Sequence, residues 1–199
     1  MSDDAKTSTR MPTGEEPPKG FEALATEKPA PGSIDVRAAF TTQLAGIEIA
    51  EIEKLRVAAM ANIANAIGTA RVDISFADEL DILKPSEDAA KMLFRAYRND
   101  ELVGYALVII GWPQKPDWII QHMIVNPNNR LQGVGTAIVS KIETDAQDAE
   151  VATDNLYVIP IDQNGLGFWQ MRGYNQQSES YEIKIADRKR NISIYHKKG

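Results

Sequence analysis

Two glycines near the middle of the chain lie where a strand is expected to turn into a helix. The apolar, β-branched run from Trp118 to Val125 predicts a buried strand. Residues 126–129 are typical of a turn, and apolar residues at helical spacing follow Gly133. The first amides of a helix lack internal partners and carry part of the positive end of its dipole. Because Gly133 and Gly135 have no Cβ, a pyrophosphate can approach this backbone closely.

The spacing differs from two common phosphate-binding motifs. The dinucleotide fingerprint needs a third glycine and a downstream acidic residue, and a Walker loop needs Gly-Lys-Ser/Thr. Neither pattern follows Gly135. The alternative interpretation is a tight strand-to-helix turn that binds no ligand.

The residues around these glycines carry a resemblance. The order Val125-Asn126-Pro127-Asn128-Asn129-Arg130-Leu131-Gln132-Gly133-Val134-Gly135 resembles the acyl-CoA signature of the GCN5-related N-acetyltransferases, the GNAT family. Arg130, Gly133 and Gly135 fill the fixed positions of Arg/Gln-x-x-Gly-x-Gly/Ala. The resemblance implies acetyl-CoA as co-substrate, with its pantetheine paired to the backbone of Met123 and Val125. It also implies a pyrophosphate held by the amides of six residues, Leu131, Gln132, Gly133, Val134, Gly135 and Thr136.

Composition and charge narrow the function classes. The 199 residues provide room for one domain and a tail, and the 43% hydrophobic and 25% charged content is ordinary for a soluble globular protein. A net charge of -6 argues against generic nucleic-acid binding and mildly favours a cationic acceptor such as an amine.

The absence of cysteine excludes disulfides, a thiolate metal site and a cysteine nucleophile, and no metal is expected. It fits a reducing compartment, so we expect a cytoplasmic protein. The acidic N-terminus has no signal-peptide pattern, and no run of about 18 apolar residues predicts a membrane span.

The chain divides into a tail and a domain. Residues 1–32 hold five of the ten prolines and few large apolar groups, which predicts a flexible tail. Residues 33–199 form the expected domain. Its patterns predict a strand at 33–40, one long helix or two abutting ones over 44–67, a hairpin of 91–98 with 101–112, strand 118–125, helix 133–147 and strand 154–160. A terminal hairpin is predicted between 181 and 196, with a polar turn at 187–191. The resemblance implies an α/β fold, a mixed and mostly antiparallel seven-stranded sheet flanked by helices.

Between the first helix and the hairpin lies an acidic segment. A short helix is expected near residues 77–83, with acids at Asp73, Asp78, Glu79 and Asp81. By resemblance this region forms a wall of the acceptor site, where the four acids can attract an ammonium. Asp73, Asp78 and Glu79 are alternative bases that would act through water. A solvated helix face is the alternative.

A second motif of the family is degraded in this chain. Residues 162–174 resemble Asn-x-x-Ala-x-x-Leu-Tyr-x-x-x-Gly-Phe, with Gly173-Tyr174 at the end and Trp169 in place of the Tyr. By resemblance that Tyr protonates the departing CoA thiolate, which an indole cannot do. Trp169 can instead contact the thioester or pack in the core. Tyr157 and Tyr174 are the nearest replacement acids.

A general base is harder to find. By resemblance, the base lies on the strand 118–125, but Ile119, Gln121 and Met123, expected to share one face, cannot serve. His122 has a suitable pKa but is expected on the opposite face. A β-bulge would bring it back.

These observations predict an acyl-CoA-dependent N-acyltransferase. It would transfer acetyl to a primary amine of a small molecule by direct attack in a ternary complex. Neither nucleic acid nor membrane is expected as a partner, and a homodimer is expected by resemblance only. The alternatives are a CoA-binding or regulatory module with altered catalysis, or a transferase with an unusual donor or acceptor.

Overall fold

A seven-stranded mixed sheet organises the protein. The computed structural model describes residues 32–67, 76, 89–160, 163–185 and 188–197. The strands follow the order β1-β2-β3-β4-β5-β7-β6, and all neighbours are antiparallel except β4 and β5. The predicted fold class is therefore confirmed. The strands are β1 Asp35–Phe40, β2 Ala90–Arg98, β3 Glu101–Ile110, β4 Trp118–Val125, β5 Leu156–Val158, β6 Tyr174–Ile185 and β7 Arg188–Lys197.

Helices cover both faces of this sheet. In the described part of the chain they are α1 Gly46–Ile67, α2 Val134–Asp148 and α3 Gln163–Met171. One apolar cluster joins α2 and α3 to one face, through residues such as Ile138 and Trp169. A second cluster joins α1 to the other face, through Ile52 and Leu55. The helical periodicity of the sequence predicts both buried stripes.

Most of the expected elements agree with the structure, and the terminal hairpin differs most. The prediction for β4 has the observed bounds. Residues 188–191 were expected to form a polar turn, but they belong to β7 and pair with β6. That expectation is wrong because ladder pairing overrides local polarity. The predicted tail, apart from Gly32, and the short helix at 77–83 lie outside the described residues.

Strands β4 and β5 pair over a short stretch only. Their parallel pairing covers only Trp118, Ile119 and Ile120, and Ile159 N–H donates to Ile120 O at 3.0 Å. Strand β4 continues to Val125. In the described residues its edge beyond Ile120 therefore has no strand partner on the β5 side, and the space beside this unpaired edge is called the cleft below.

Candidate functional site

The loop between β4 and α2 has the geometry of an anion site. Leu131 and Gly133 have φ of +59° and +84°, in the left-handed region. Gly133 caps α2, and the helical bonding begins with Ala137 N–H donating to Gly133 O at 2.9 Å. The amides of Val134, Gly135 and Thr136 precede that bond, so they have no acceptor within the helix. Side chains along the loop are exposed, including Arg130, Leu131 and Gln132.

Because Gly135 has no side chain, the space beside the first turn of α2 stays free, although Met123 and Phe168 lie close to it. A Cβ built there would lie 3.2 Å from Met123 Cε and 3.4 Å from Phe168 Cζ. These contacts bring the first turn of α2 next to β4 and α3. A larger side chain at Gly135 would fill the cradle that the three elements share.

The backbone of β4 points into the cleft at two positions. Asn126 N–H donates to Val103 O on β3 at 2.9 Å. Because successive amides in a strand point to opposite sides, those of Val125 and Met123 face away from β3. They therefore face the open edge of β4, as the sequence-based assignment of a pantetheine partner requires.

Gly104 is a positioning residue that the sequence analysis missed. A Cβ there would lie 3.0 Å from Val134 Cγ1, 3.1 Å from Ile124 O and 3.2 Å from Ile138 Cδ1. Its missing side chain lets α2 sit directly on β3. A glycine inside an apolar strand signals such a close approach, so the signal was present.

A bulge in β4 changes which residues share a face. His122 is paired with Leu107, and Ile120 with Val108, so Gln121 is the extra residue. Ile119 belongs to the cluster of Ile109, whereas Met123 packs against the α2 core. The expectation that 119, 121 and 123 share one face is therefore wrong, because the bulge shifts the alternation.

His122 lies opposite Met123, on the side of the sheet covered by α1. It is 6% exposed, and its ring meets Tyr105 edge to face at 5.4 Å between centroids. Burial, and then the nearby charge of Arg56, lower the pKa of His122 to about 4. The imidazole is consequently neutral at pH 7 and able to accept a proton, although only weakly.

A buried arginine lies near this histidine. Arg56 of α1 is 5% exposed and forms a two-pronged pair with Glu53, with nitrogen–oxygen distances of 2.8 and 3.0 Å. Glu53 also accepts the Phe76 amide at 2.9 Å. Farther along the helix, Glu48 pairs with the buried Arg95 of β2. The pKa of Glu48 is lowered by the Ala45 amide and then by Arg95.

Trp169, expected at the thioester or in the core, and Tyr174, a candidate acid, both lie in the core. Trp169 is 4% exposed and stacks edge to face on Phe168 and Tyr174, at 5.1 and 5.4 Å. The Tyr174 hydroxyl donates to Glu143 of α2 at 3.3 Å. Burial, and then Glu143, raise the pKa of Tyr174 well above its ordinary value. That hydroxyl is therefore a weaker acid than an ordinary tyrosine.

The other sequence candidates fall elsewhere. Tyr157 lies in β5, beside Ile119, and its ring meets His196 at 6.0 Å. Asp73, Asp78, Glu79 and Asp81 lie outside the described residues. Where the structure describes side chains, no three His, Asp or Glu residues converge as metal ligands. No helix within the described ranges is long and apolar enough to span a membrane.

Comparisons with known proteins agree with this architecture. A family model described as the acetyltransferase (GNAT) family matches residues 57–174. Among solved structures, an acyl-CoA N-acyltransferase from Pseudomonas aeruginosa superposes with a TM-score of 0.58 at 14% identity, covering 83% of this chain and 100% of that one. Escherichia coli ElaA gives 0.55 at 21% identity, with coverage of 83% and 100%.

A third solved structure was determined with acetyl-CoA bound. It is a GNAT family acetyltransferase from Elizabethkingia anophelis, with a TM-score of 0.51, 13% identity and coverage of 82% of this chain and 97% of that one. At these identities the likeness concerns the fold. No curated protein matches the sequence.

Proposed function

The chain belongs to the acetyltransferase (GNAT) family, and from that premise we propose that it transfers acetyl from acetyl-CoA to a primary amine of a small molecule. The observation that carries this proposal is the cleft beside β4. There, an open strand edge leads to a helix N-terminus whose first amides are free of helical bonds and whose glycine leaves a cradle. Strand edge and helix end together suit an extended chain that carries a pyrophosphate.

The residues of this cleft suit the parts of acetyl-CoA. The amides around Gly133 and Gly135 would hold the pyrophosphate, and the Met123 and Val125 backbone would pair with the pantetheine. Arg130, exposed beside the loop, would add a charge for the phosphates. The acetyl group would then reach the bulge at Gln121, where the two strands part.

The proposed reaction is a direct attack in a ternary complex. The lone pair of the neutral amine attacks the thioester carbonyl carbon, and the C–S bond breaks as the carbonyl re-forms. The amine loses a proton to a base or water, and the CoA thiolate takes a proton from solvent. Most of the acceleration would come from positioning, with an amide such as that of Met123 stabilising the oxyanion.

His122 is our candidate for the base. It faces α1 rather than α2, so the acceptor amine would approach from the side of α1. Its imidazole is neutral, but a pKa of about 4 makes it a weak base for an ammonium. We therefore propose that His122 receives a proton through water or orients the amine, and that the acceptor binds largely deprotonated.

The test is release of CoA thiol with a panel of amines. The chain has no cysteine, so any free thiol that appears belongs to CoA. We expect acetyl-CoA-dependent thiol release together with an acetylated amine identified by mass spectrometry. The matched controls are Gly135→Ala, which should stay active, and Gly135→Glu, which should not. Wild-type protein without turnover on any amine would contradict the proposed activity.

A CoA-binding module without turnover is the second candidate. Its supporting observations are the buried Trp169 in the family's tyrosine position and the Tyr174 hydroxyl engaged by Glu143. Binding of acetyl-CoA without thiol release for any amine would favour this candidate.

The absence of cysteine is the reason we also propose a cytoplasmic location, which cell fractionation tests.

A further inference from the structure

We propose that Arg98 is a positioning residue for the pyrophosphate loop, an inference that rests on the proposed function. Arg98 is the last residue of β2 and reaches across to the loop. Its Nη2 donates to the backbone oxygen of Gln132 at 3.1 Å, and its Nη1 donates to the side-chain Oε1 of the same residue. One guanidinium thus holds both ends of Gln132.

A tight turn fixes the origin of this side chain. Arg98 pairs with Glu101 across a two-residue hairpin, and the turn residues Asn99 and Asp100 have φ of +51° and +63°. Two left-handed residues form the turn whose twist matches paired strands. The backbone of Arg98 is therefore held by pairing with β3, and the residues of β2 that precede it are buried.

The bond to the Gln132 oxygen sets the direction of the next amide. A trans peptide is planar, so the Gly133 N–H points opposite to the Gln132 C=O. With that carbonyl turned toward Arg98, the Gly133 N–H points away from β2. The positive guanidinium also offsets the dipole of this carbonyl beside the helix N-terminus.

The same contacts extend through the rest of the loop. Gln132 Nε2 donates to Asn128 O at 2.9 Å, and Asn128 N–H donates to Asn126 Oδ1 at 3.0 Å. The loop contains a left-handed leucine, Leu131, which is fully exposed. At φ +59° a leucine is sterically disfavoured, so the residue does not stabilise this conformation by itself. The chain of bonds that begins at Arg98 is what holds it before a ligand arrives.

The central experiment compares Arg98→Met with Arg37→Met, using CoA as the probe and calorimetry as the readout. Arg37 lies on the neighbouring strand and pairs with Asp35 and Asp100, not with the loop. Both variants lose one positive charge. We expect the Kd for CoA to rise about ten-fold in Arg98→Met and to stay within about two-fold in Arg37→Met. Arg98→Lys should fall between, because an ammonium cannot reproduce the fork.

Kinetics and coupling separate positioning from a direct phosphate contact. In Arg98→Met the KM for acetyl-CoA should rise with kcat unchanged at saturation. Combining it with Gln132→Ala should cost less than the sum of the two single changes, because both act through one contact. Additive losses would overturn the inference in favour of a direct contact with the phosphates.

Hydrogen exchange in the ligand-free protein keeps the inference testable on its own. Amides of residues 127–136 should exchange faster in Arg98→Met than in Arg37→Met. If neither exchange nor Kd differs between these two variants, Arg98 has no positioning role. If wild-type protein binds no CoA, the proposed function fails, and the exchange comparison still decides whether Arg98 orders the loop.

Discussion

The face of β4 that packs against α2 consists of apolar side chains and backbone groups, whereas the face toward α1 buries charged and polar groups. At the first face, Gly104 of β3 lets the side chain of Val134 pack closely, and Gly135 of α2 does the same for Met123. On the second, His122 lies near Arg56, which Glu53 pairs. We propose that recognition of CoA at the first face depends on missing side chains, and that recognition of the acceptor at the second depends on the polar groups present there. The predictions below test this contrast, from the largest expected effect to the smallest.

The largest expected effect is the loss of acetyl-CoA affinity when a charged side chain replaces Gly135, on the face toward α2. In Gly135→Glu a carboxylate would occupy the cradle beside the pyrophosphate, and like charges brought together cost several kcal/mol. We expect the Kd for acetyl-CoA to rise roughly 1,000-fold, or about 4 kcal/mol. Calorimetry measures this, with circular dichroism to check folding.

Gly135→Ala is the matched control. Its Cβ would lie 3.2 Å from the mobile end of Met123, which can move aside. Its affinity should stay within a few-fold of wild type. Equal losses in Ala and Glu variants would show that the position serves packing alone.

The burial of His122, on the face toward α1, should make the free energy of unfolding depend on pH. Its folded pKa of about 4 lies below an unfolded value near 6.5, so the unfolded state binds more protons between these values. This contribution is fully present above pH 6.5 and is lost as pH falls toward 4, by roughly 3 kcal/mol. Urea unfolding at several pH values should give a shallower acid slope for His122→Gln than for wild type. Equal slopes would contradict the burial of His122.

Alanine substitutions at Gly104 and Gly167 distinguish the effect of a close contact from that of helix propensity. In Gly104→Ala the new Cβ would press on Ile124 O at 3.1 Å and on two α2 side chains, so we expect a loss of about 2 kcal/mol. Gly167 lies within α3 with no atom within 4 Å of a built Cβ. Gly167→Ala should stabilise the protein by about 0.5–1 kcal/mol. Thermal unfolding compares them, and similar signs would refute the close approach at Gly104.

A small effect should also come from Tyr174. Tyr174→Phe removes one hydrogen bond to Glu143, whose other partners are Arg172 at 2.9 Å and Lys197 at 2.7 Å. We expect a loss of about 1 kcal/mol in the free energy of unfolding. Because the hydroxyl has a raised pKa, kcat should stay within about two-fold of wild type. A ten-fold fall in kcat would assign Tyr174 an acid role after all.

The sequence predicts the two faces of β4 unequally for a physical reason. The loop from Val125 to Gly135 is local, because its turn residues, glycines and helix start follow one another in the chain. Strand alternation likewise predicts the buried faces of β2. These features follow from φ, ψ and periodicity alone.

Contacts between distant residues, both at the loop before α2 and on the α1 side, are contained in no local pattern. Arg98 and Gln132 are 34 positions apart, and Phe76 reaches Glu53 over 23 positions. A strict alternation of side chains does not predict the bulge at Gln121. The bulge places Ile119 and Met123 on opposite faces of the sheet. Whether Trp169 contacts the thioester, and whether the chain dimerises, stay predictions.

The central claim is that the cleft beside β4 binds acetyl-CoA, and thermal unfolding of the wild-type protein tests it most directly. At about 100 times its Kd, acetyl-CoA should stabilise the fold by roughly 2.7 kcal/mol, which raises the Tm by roughly 5–10 °C for a domain of this size. Gly135→Glu should show no shift at the same concentration. A wild-type Tm that no acyl-CoA and no CoA changes would contradict the claim and leave the Gly133 turn as a turn only.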